Sequence, residues 1–152
     1  MPENPIRVGI AGYGKSVKTF HLPFLELSDQ YRVKTVLQRS GNSAEKDIPN
    51  VKIVKQIKEL AEDESTDLIL VATPNEFHAE HAEKCLRSGK HVLVEKPFVL
   101  HEREAISLIE LSLNVGKLLT VYQNRRFDGD FMTLKKMAVD VRLGKLVEAE
   151  LS

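Results

Sequence analysis

The sequence predicts an α/β fold built on a doubly wound parallel sheet, and three observations predict it. Short apolar runs alternate with helix-patterned stretches along most of the chain. The first run leads into a glycine turn, Gly12-Tyr13-Gly14. The run Asp67-Leu68-Ile69-Leu70-Val71-Ala72 is almost continuously apolar, the pattern of a strand covered by helices on both faces.

Taken in order, Ile6–Ala11 reads as a buried strand. After the glycine turn, Lys15 and Ser16 open a helical stretch. Ser16 to Leu27 carries Val17, Phe20, Phe24, Leu25 and Leu27, and Pro23 predicts a kink or split. Tyr31–Leu37, rich in β-branched residues, is the second strand. Gln38 to Asn50 is polar, holds Gly41 and Pro49, and reads as a loop. Val51–Val54 is a short third strand, and Ile57–Glu64 a short charged helix with Ile57, Leu60 and Ala61 inward.

The Asp67–Ala72 strand ends at Thr73-Pro74-Asn75. Phe77–Ser88 is then a helix with Ala79, Ala82, Cys85 and Leu86 on one face, stopped by Gly89. His91–Glu95 is the fifth strand, ended by Lys96-Pro97. His101–Asn114 is a long helix with Ile106, Ile109 and Leu113 at helical spacing, closed by Gly116, and Leu118–Tyr122 is the sixth strand. Phe131–Arg142 reads as an amphipathic helix followed by Gly144. Val147–Leu151 alternates like a half-exposed antiparallel strand. A strand with no partner after it is an open edge, so the chain is expected to be a fragment whose last stretch begins a further domain.

The chain has 152 residues and formal net charge +0, enough for one domain with a sizeable core. No basic excess points to nucleic acid, and no apolar run is long enough to span a membrane. MPENPIRV passes straight into a strand without the apolar segment of a secretory signal. The single cysteine, Cys85, is expected to fill core, and a cytoplasmic setting is compatible with it.

A strand feeding Gly-x-Gly into a helix can hold a diphosphate. Gly12 allows the turn, Gly14 lets the anion approach the backbone, and the first helical N–H groups point at it. The third glycine of this pattern would fall at position 17, where Val17 stands. Parallel sheets bind ligands beyond the carboxyl ends of their strands. The glycine turn, Gln38-Arg39-Ser40, Thr73-Pro74-Asn75, Glu95-Lys96-Pro97 and Gln123–Arg126 all fall there, and that convergence favours a dinucleotide site. After the second strand there is no carboxylate for a ribose 2′-hydroxyl. Arg39 and Ser40 instead suit a 2′-phosphate, so NADP(H) is expected over NAD(H). His78 and His81 are three apart, but no carboxylate–histidine set completes a metal site, and no metal is expected.

VGIAGYG with FHLP downstream, ATPNEFH, VLVEKPF and YQNRRFDGD together resemble the glucose–fructose oxidoreductase/inositol dehydrogenase/MocA (Gfo/Idh/MocA) family. Within it they are most similar to NADP-dependent scyllo-inositol dehydrogenase-like members. The resemblance covers residues 5–152. It implies a Rossmann NAD(P)-binding domain over 1–125. Residues 126–152 would be a linker helix and the first strand of a C-terminal α/β domain. It implies hydride transfer between NADP(H) and a CH–OH group of a sugar or polyol, with the full-length protein a homo-oligomer and this piece alone inactive.

The resemblance makes Lys96 the residue that reaches the substrate hydroxyl, with a cis bond to Pro97. Glu95 either serves the cofactor or holds Lys96. Thr73, Pro74 and Asn75 line the diphosphate–nicotinamide side, although Asn75 also fits a helix N-cap. His78 is expected to hydrogen-bond near the cofactor, and His81 and His91 to be structural. His21 either covers the glycine turn or is structural. Asn124 and Arg125 fall near nicotinamide and substrate, or form a salt-bridged hinge with Asp128 and Asp130. A non-enzymatic NAD(P)-sensing regulator is the alternative on the same fold, and a module binding acyl groups or nucleotide sugars a weaker one.

Overall fold

The computed structural model describes residues 4–140, 144, 147 and 148. The chain divides into two compact units, Met1–Tyr122 and Gln123–Ser152. In the first, six strands run β1 (Ile6–Ala11), β2 (Tyr31–Leu37), β3 (Lys52–Val54), β4 (Leu68–Val71), β5 (His91–Val94) and β6 (Leu119–Val121). All neighbours are parallel, and the spatial order is β3-β2-β1-β4-β5-β6. The winding reverses between β1 and β4, which places a crevice beyond their carboxyl ends.

Alternation along each strand feeds two cores. Val8, Ile10, Val36 and Leu70 pack on one face with Val17, Leu22 and Ala44. Ala11, Leu37, Ile69 and Val71 pack on the other with Leu60, Ala82, Cys85, Leu86 and Leu108. Helices α1 (Leu22–Leu27) and α2 (Ala44–Asp47) thus cover the first face, and α3 (Ile57–Ala61), α4 (His78–Arg87) and α5 (Glu102–Val115) the second. Gly9 of β1 faces the second core. A Cβ there would come within 2.6 Å of Ile69 Cδ1 and 2.9 Å of Leu60 Cδ1, so the missing side chain lets α3 sit close to the sheet.

Several elements differ from the sequence expectation. The polar Gln38–Asn50 stretch is not all loop: α2 forms within it because Ala44 and Ile48 bury themselves in the first core. The first helical stretch is split near Pro23, as expected, with the break between His21 and Leu22. Val17–His21 is a π-helical turn, and α1 follows with Pro23 in its first turn, where a missing N–H costs little. Val17 is fully buried. Helix α3 stops at Ala61, before Glu64. On α5 the stripe Ile106, Ile109 and Leu113 is exposed, while Leu108 and Ser112 are buried. This helix packs beside α4 and presents Leu108 to the core.

Cys85 is buried as expected, and burial pushes its thiol up to about 12. In the second unit, Asn124–Phe127 is a one-turn 3-10 helix and α6 spans Gly129–Val139 with no buried residue. The strand expected over Val147–Leu151 falls largely outside the described residues; Val147 and Glu148, which are described, carry no regular structure. Among the described residues no helix is long and apolar enough to cross a membrane.

Candidate functional site

A cleft of about 710 Å³ opens at the carboxyl ends of β1, β2 and β4. Its floor is the glycine turn, continued by Lys15 and Ser16. Gly12 has φ +93°, and a Cβ on it would meet the Ala72 carbonyl oxygen at 2.8 Å. The turn can therefore be made only with glycine, and it fits tightly against the end of β4. Gly14 differs: a Cβ there would meet nothing within 4 Å. Its bareness leaves backbone open to the cleft.

One wall is the β2–α2 connection with Gln38, Arg39 and Ser40. The Gln38 amide group braces it, donating to Ser43 Oγ at 3.0 Å and accepting from Ala44 N at 3.2 Å. Lys55 Nζ donates to the Gln38 and Gly41 carbonyls at 3.0 and 2.7 Å, so Arg39 and Ser40 lie between two tethered carbonyls. Below them Tyr13 donates to Asp47 Oδ2 at 2.9 Å, and Lys18 Nζ pairs with the same oxygen at 2.7 Å. Burial, and then the bond to Asp47, hold the Tyr13 phenol well above its ordinary range. These contacts link the glycine turn to α2.

The opposite wall is Thr73, Pro74, Phe77 and His81. The Phe77 and His81 rings stack with centroids 5.6 Å apart, and Thr73 Oγ1 lies 3.2 Å from His81 Nδ1. The Arg39 guanidinium sits 5.4 Å above the Phe77 ring centroid. Burial pulls the His81 imidazole below its ordinary value. Among the described residues no carboxylate lines the cleft, while Lys15, Arg39 and Lys55 do, so the site suits an anion.

Several expected residues lie elsewhere. His78 is 1% exposed, and its ring nitrogens lie 2.9 Å from the Pro97 carbonyl and 2.8 Å from the Thr73 carbonyl. It clips the ends of β4 and β5 together, and His81, expected to be structural, lines the cleft instead. Asn75 opens a 3-10 turn, Asn75–Phe77, outside the cleft lining and without a side-chain cap bond.

Glu95 is also outside the lining. It is buried and accepts from Ser16 Oγ at 2.5 Å, meets His21 Nε2 at 2.6 Å, and accepts from Lys96 N at 3.1 Å. Burial alone would raise its pKa, but those hydrogen bonds win and hold it low. His21 is buried, its ring centroid 4.1 Å from that of Tyr122, whose hydroxyl donates to the Phe20 carbonyl at 2.8 Å.

Lys96 is exposed at the end of β5, and its bond to Pro97 is cis. Arg125 pairs with Asp128 at 2.6 Å within the second unit, where Asn124 opens the 3-10 turn. Lys55, Phe77 and Ile57 were not expected in the lining.

A 3-2-1-4-5-6 parallel sheet with a glycine turn and an anion-suited cleft at its switch point defines an NAD(P)-binding Rossmann domain. The chain belongs to the Gfo/Idh/MocA oxidoreductase family with NAD-binding Rossmann fold, whose model matches residues 6–123. It is 38% identical over 132 residues to scyllo-inositol 2-dehydrogenase (NADP(+)) of Bacillus subtilis, covering 87% of this chain and 37% of that protein. It is 29% identical to myo-inositol 2-dehydrogenase of Thermotoga maritima, covering 92% of this chain and 42% of that one. An oxidoreductase from Bacillus cereus superposes with TM-score 0.85 at 35% identity, over 92% of this chain and 41% of its own. The chain thus spans about two fifths of the length of these relatives.

Proposed function

We propose that this chain is the coenzyme-binding part of an NADP(H)-dependent dehydrogenase acting on a sugar or polyol CH–OH group. The observation that carries the coenzyme choice is the cleft wall after β2. It offers Arg39 and Ser40 between tethered carbonyls and no carboxylate to repel a phosphate. The coenzyme fits the residues present. Gly14 leaves room for a diphosphate, and Lys15, Arg39 and Lys55 supply positive charge.

When bound, the nicotinamide supplies the hydride chemistry. The chain's own residues bind and orient. Gly12, Tyr13, Gly14, Lys15 and Ser16 receive the diphosphate, and Thr73 and Pro74 border its path. Glu95 fixes the Ser16 hydroxyl and the Lys96 amide from behind. Lys96, with no side-chain hydrogen bond or ion pair among the described residues, is free to meet a substrate hydroxyl as a fixed cation. Polyol specificity is supported by the names of the two inositol dehydrogenases. In this reading residues 126–152 lead into a substrate domain, which would bring Asn124 and Arg125 to the nicotinamide side and carry homo-oligomer contacts.

Calorimetric titration of the 152-residue chain with NADPH and NADH tests the coenzyme assignment. Tighter NADPH binding is expected. Equal or tighter NADH binding overturns it. Loss of polyol oxidation on Lys96→Ala in the longer protein tests the role of Lys96, retained oxidation would remove Lys96 from the chemistry, and a longer protein inert on every polyol would speak for a regulator.

A further inference from the structure

We infer that Phe77 is a specificity-determining residue that parks Arg39 in position for the 2′-phosphate, so that coenzyme preference is set by the pair and not by Arg39 alone; this rests on the NADP(H) reading above. Arg39 is exposed at the cleft rim, and its guanidinium has no hydrogen bond or ion pair among the described residues. The Phe77 ring, 5.4 Å away, is the partner that holds it. That choice of partner has a chemical consequence. A carboxylate would occupy the in-plane N–H donors and neutralise the charge. An aromatic face takes the guanidinium through its π surface and leaves those donors open to a phosphate.

The parking ring is itself fixed. Phe77 N donates to the Pro74 carbonyl at 2.9 Å, closing the 3-10 turn after β4. One turn on, His81 stacks on the ring at an interplanar angle of 17°, held near Thr73 Oγ1. Strands β2 and β4 flank β1 on opposite sides. Arg39 therefore reaches across the mouth of the cleft to rest on Phe77, and the cation is ordered before ligand arrives. An arginine otherwise loses substantial rotamer freedom on binding, and preorganisation removes that cost.

The test is calorimetric titration of the chain with 2′,5′-ADP and 5′-AMP, which share the adenosine and differ in the 2′-phosphate. Phe77→Met keeps apolar bulk but removes the ring face, and Phe77→Leu serves if the first variant does not fold. Either is expected to lower the preference for 2′,5′-ADP roughly two- to fivefold, the range of an exposed cation–π contact. Phe77→Tyr is expected to restore it. In an Arg39→Met background the same Phe77 change is expected to leave the preference where it was. An unchanged preference in Phe77→Met, an equal loss for both nucleotides, or the same fall without Arg39 overturns the inference. Wild-type protein with no preference for 2′,5′-ADP defeats the NADP(H) reading itself, a result read before any variant is made.

Discussion

Ser16 and Glu95, seventy-nine residues apart, share a hydrogen bond of 2.5 Å between the first helical turn and the end of β5. His21 meets the same carboxylate oxygen at 2.6 Å. One buried carboxylate thus ties the coenzyme turn to the strand end that carries Lys96. Glu95→Ala strands the buried His21 ring and frees the half-buried Ser16 hydroxyl, and is expected to cost about 1–3 kcal/mol of stability, read as a lower denaturant midpoint. Glu95→Gln keeps the shape and should lose about half as much. A midpoint unmoved by Glu95→Ala would mean that the network contributes nothing to stability.

Arg39→Met removes the charge placed on the Phe77 ring. NADPH affinity should fall roughly 10- to 100-fold, the worth of one or two charge-assisted phosphate contacts. NADH affinity should stay within about twofold. Equal losses for both would assign Arg39 to the shared part of the coenzyme.

The two glycines of the turn should separate cleanly. Gly12→Ala places a Cβ 2.8 Å from the Ala72 carbonyl oxygen at φ +93°, so it should destabilise the fold by about 1–3 kcal/mol. Gly14→Ala enters open space and should leave the unfolding midpoint nearly unchanged, yet weaken both coenzymes at least tenfold by blocking the diphosphate. Normal coenzyme binding by Gly14→Ala would place the diphosphate elsewhere.

Acid should destabilise the chain well before its surface charge is spent. Hydrogen bonds from Arg7 lower Asp67 to about 2, and Glu95 is also held below its ordinary value. Their stabilisation is present above an unfolded carboxylate pKa of about 4 and is lost as pH falls through the folded values. His81 adds the same sign at higher pH. Burial lowers its folded pKa, so the unfolded chain takes the proton first as pH drops past about 6.5. Melting temperature should therefore decline from pH 7 to pH 5 and more steeply below pH 4. A flat profile across that span contradicts these assignments.

Cys85 should resist thiol reagents in the native state. It is fully buried, with its pKa pushed up to about 12. Labelling should track global unfolding in denaturant; rapid native labelling would show local opening of α4.

Much of this architecture is legible in the residues. β4 follows from a nearly continuous apolar run, β1 and β2 from short apolar and β-branched stretches, and the stop at Gly89 from a left-handed turn that favours glycine. The site is legible where it is backbone-driven, at Gly12 and Gly14, and less so where side chains reach across elements. Lys55 is one lysine among many until its ammonium is seen on the Gln38 and Gly41 carbonyls. His78 falls on the helical face of Ala82 and Cys85, so its inward direction was available from spacing. His81, four residues before Cys85, sits half-buried at the flank of that same face and reaches the cleft. On α5 two stripes compete. The more apolar one, through Ile106, Ile109 and Leu113, stays outside, because the position of the helix against α4 is set by Leu108 and Ser112.

Val17 begins the π turn and is wholly enclosed in the first core. A repair that reinstated the fingerprint by the change Val17→Gly would hollow out this packing and slacken the backbone at once. Conformity with the motif would come at the expense of the molecule. A pattern filter that insists on the third glycine would likewise pass over this chain, although its loop, sheet and cleft are intact. In this chain a wider helical turn packed around Val17 stands where the motif has its third glycine.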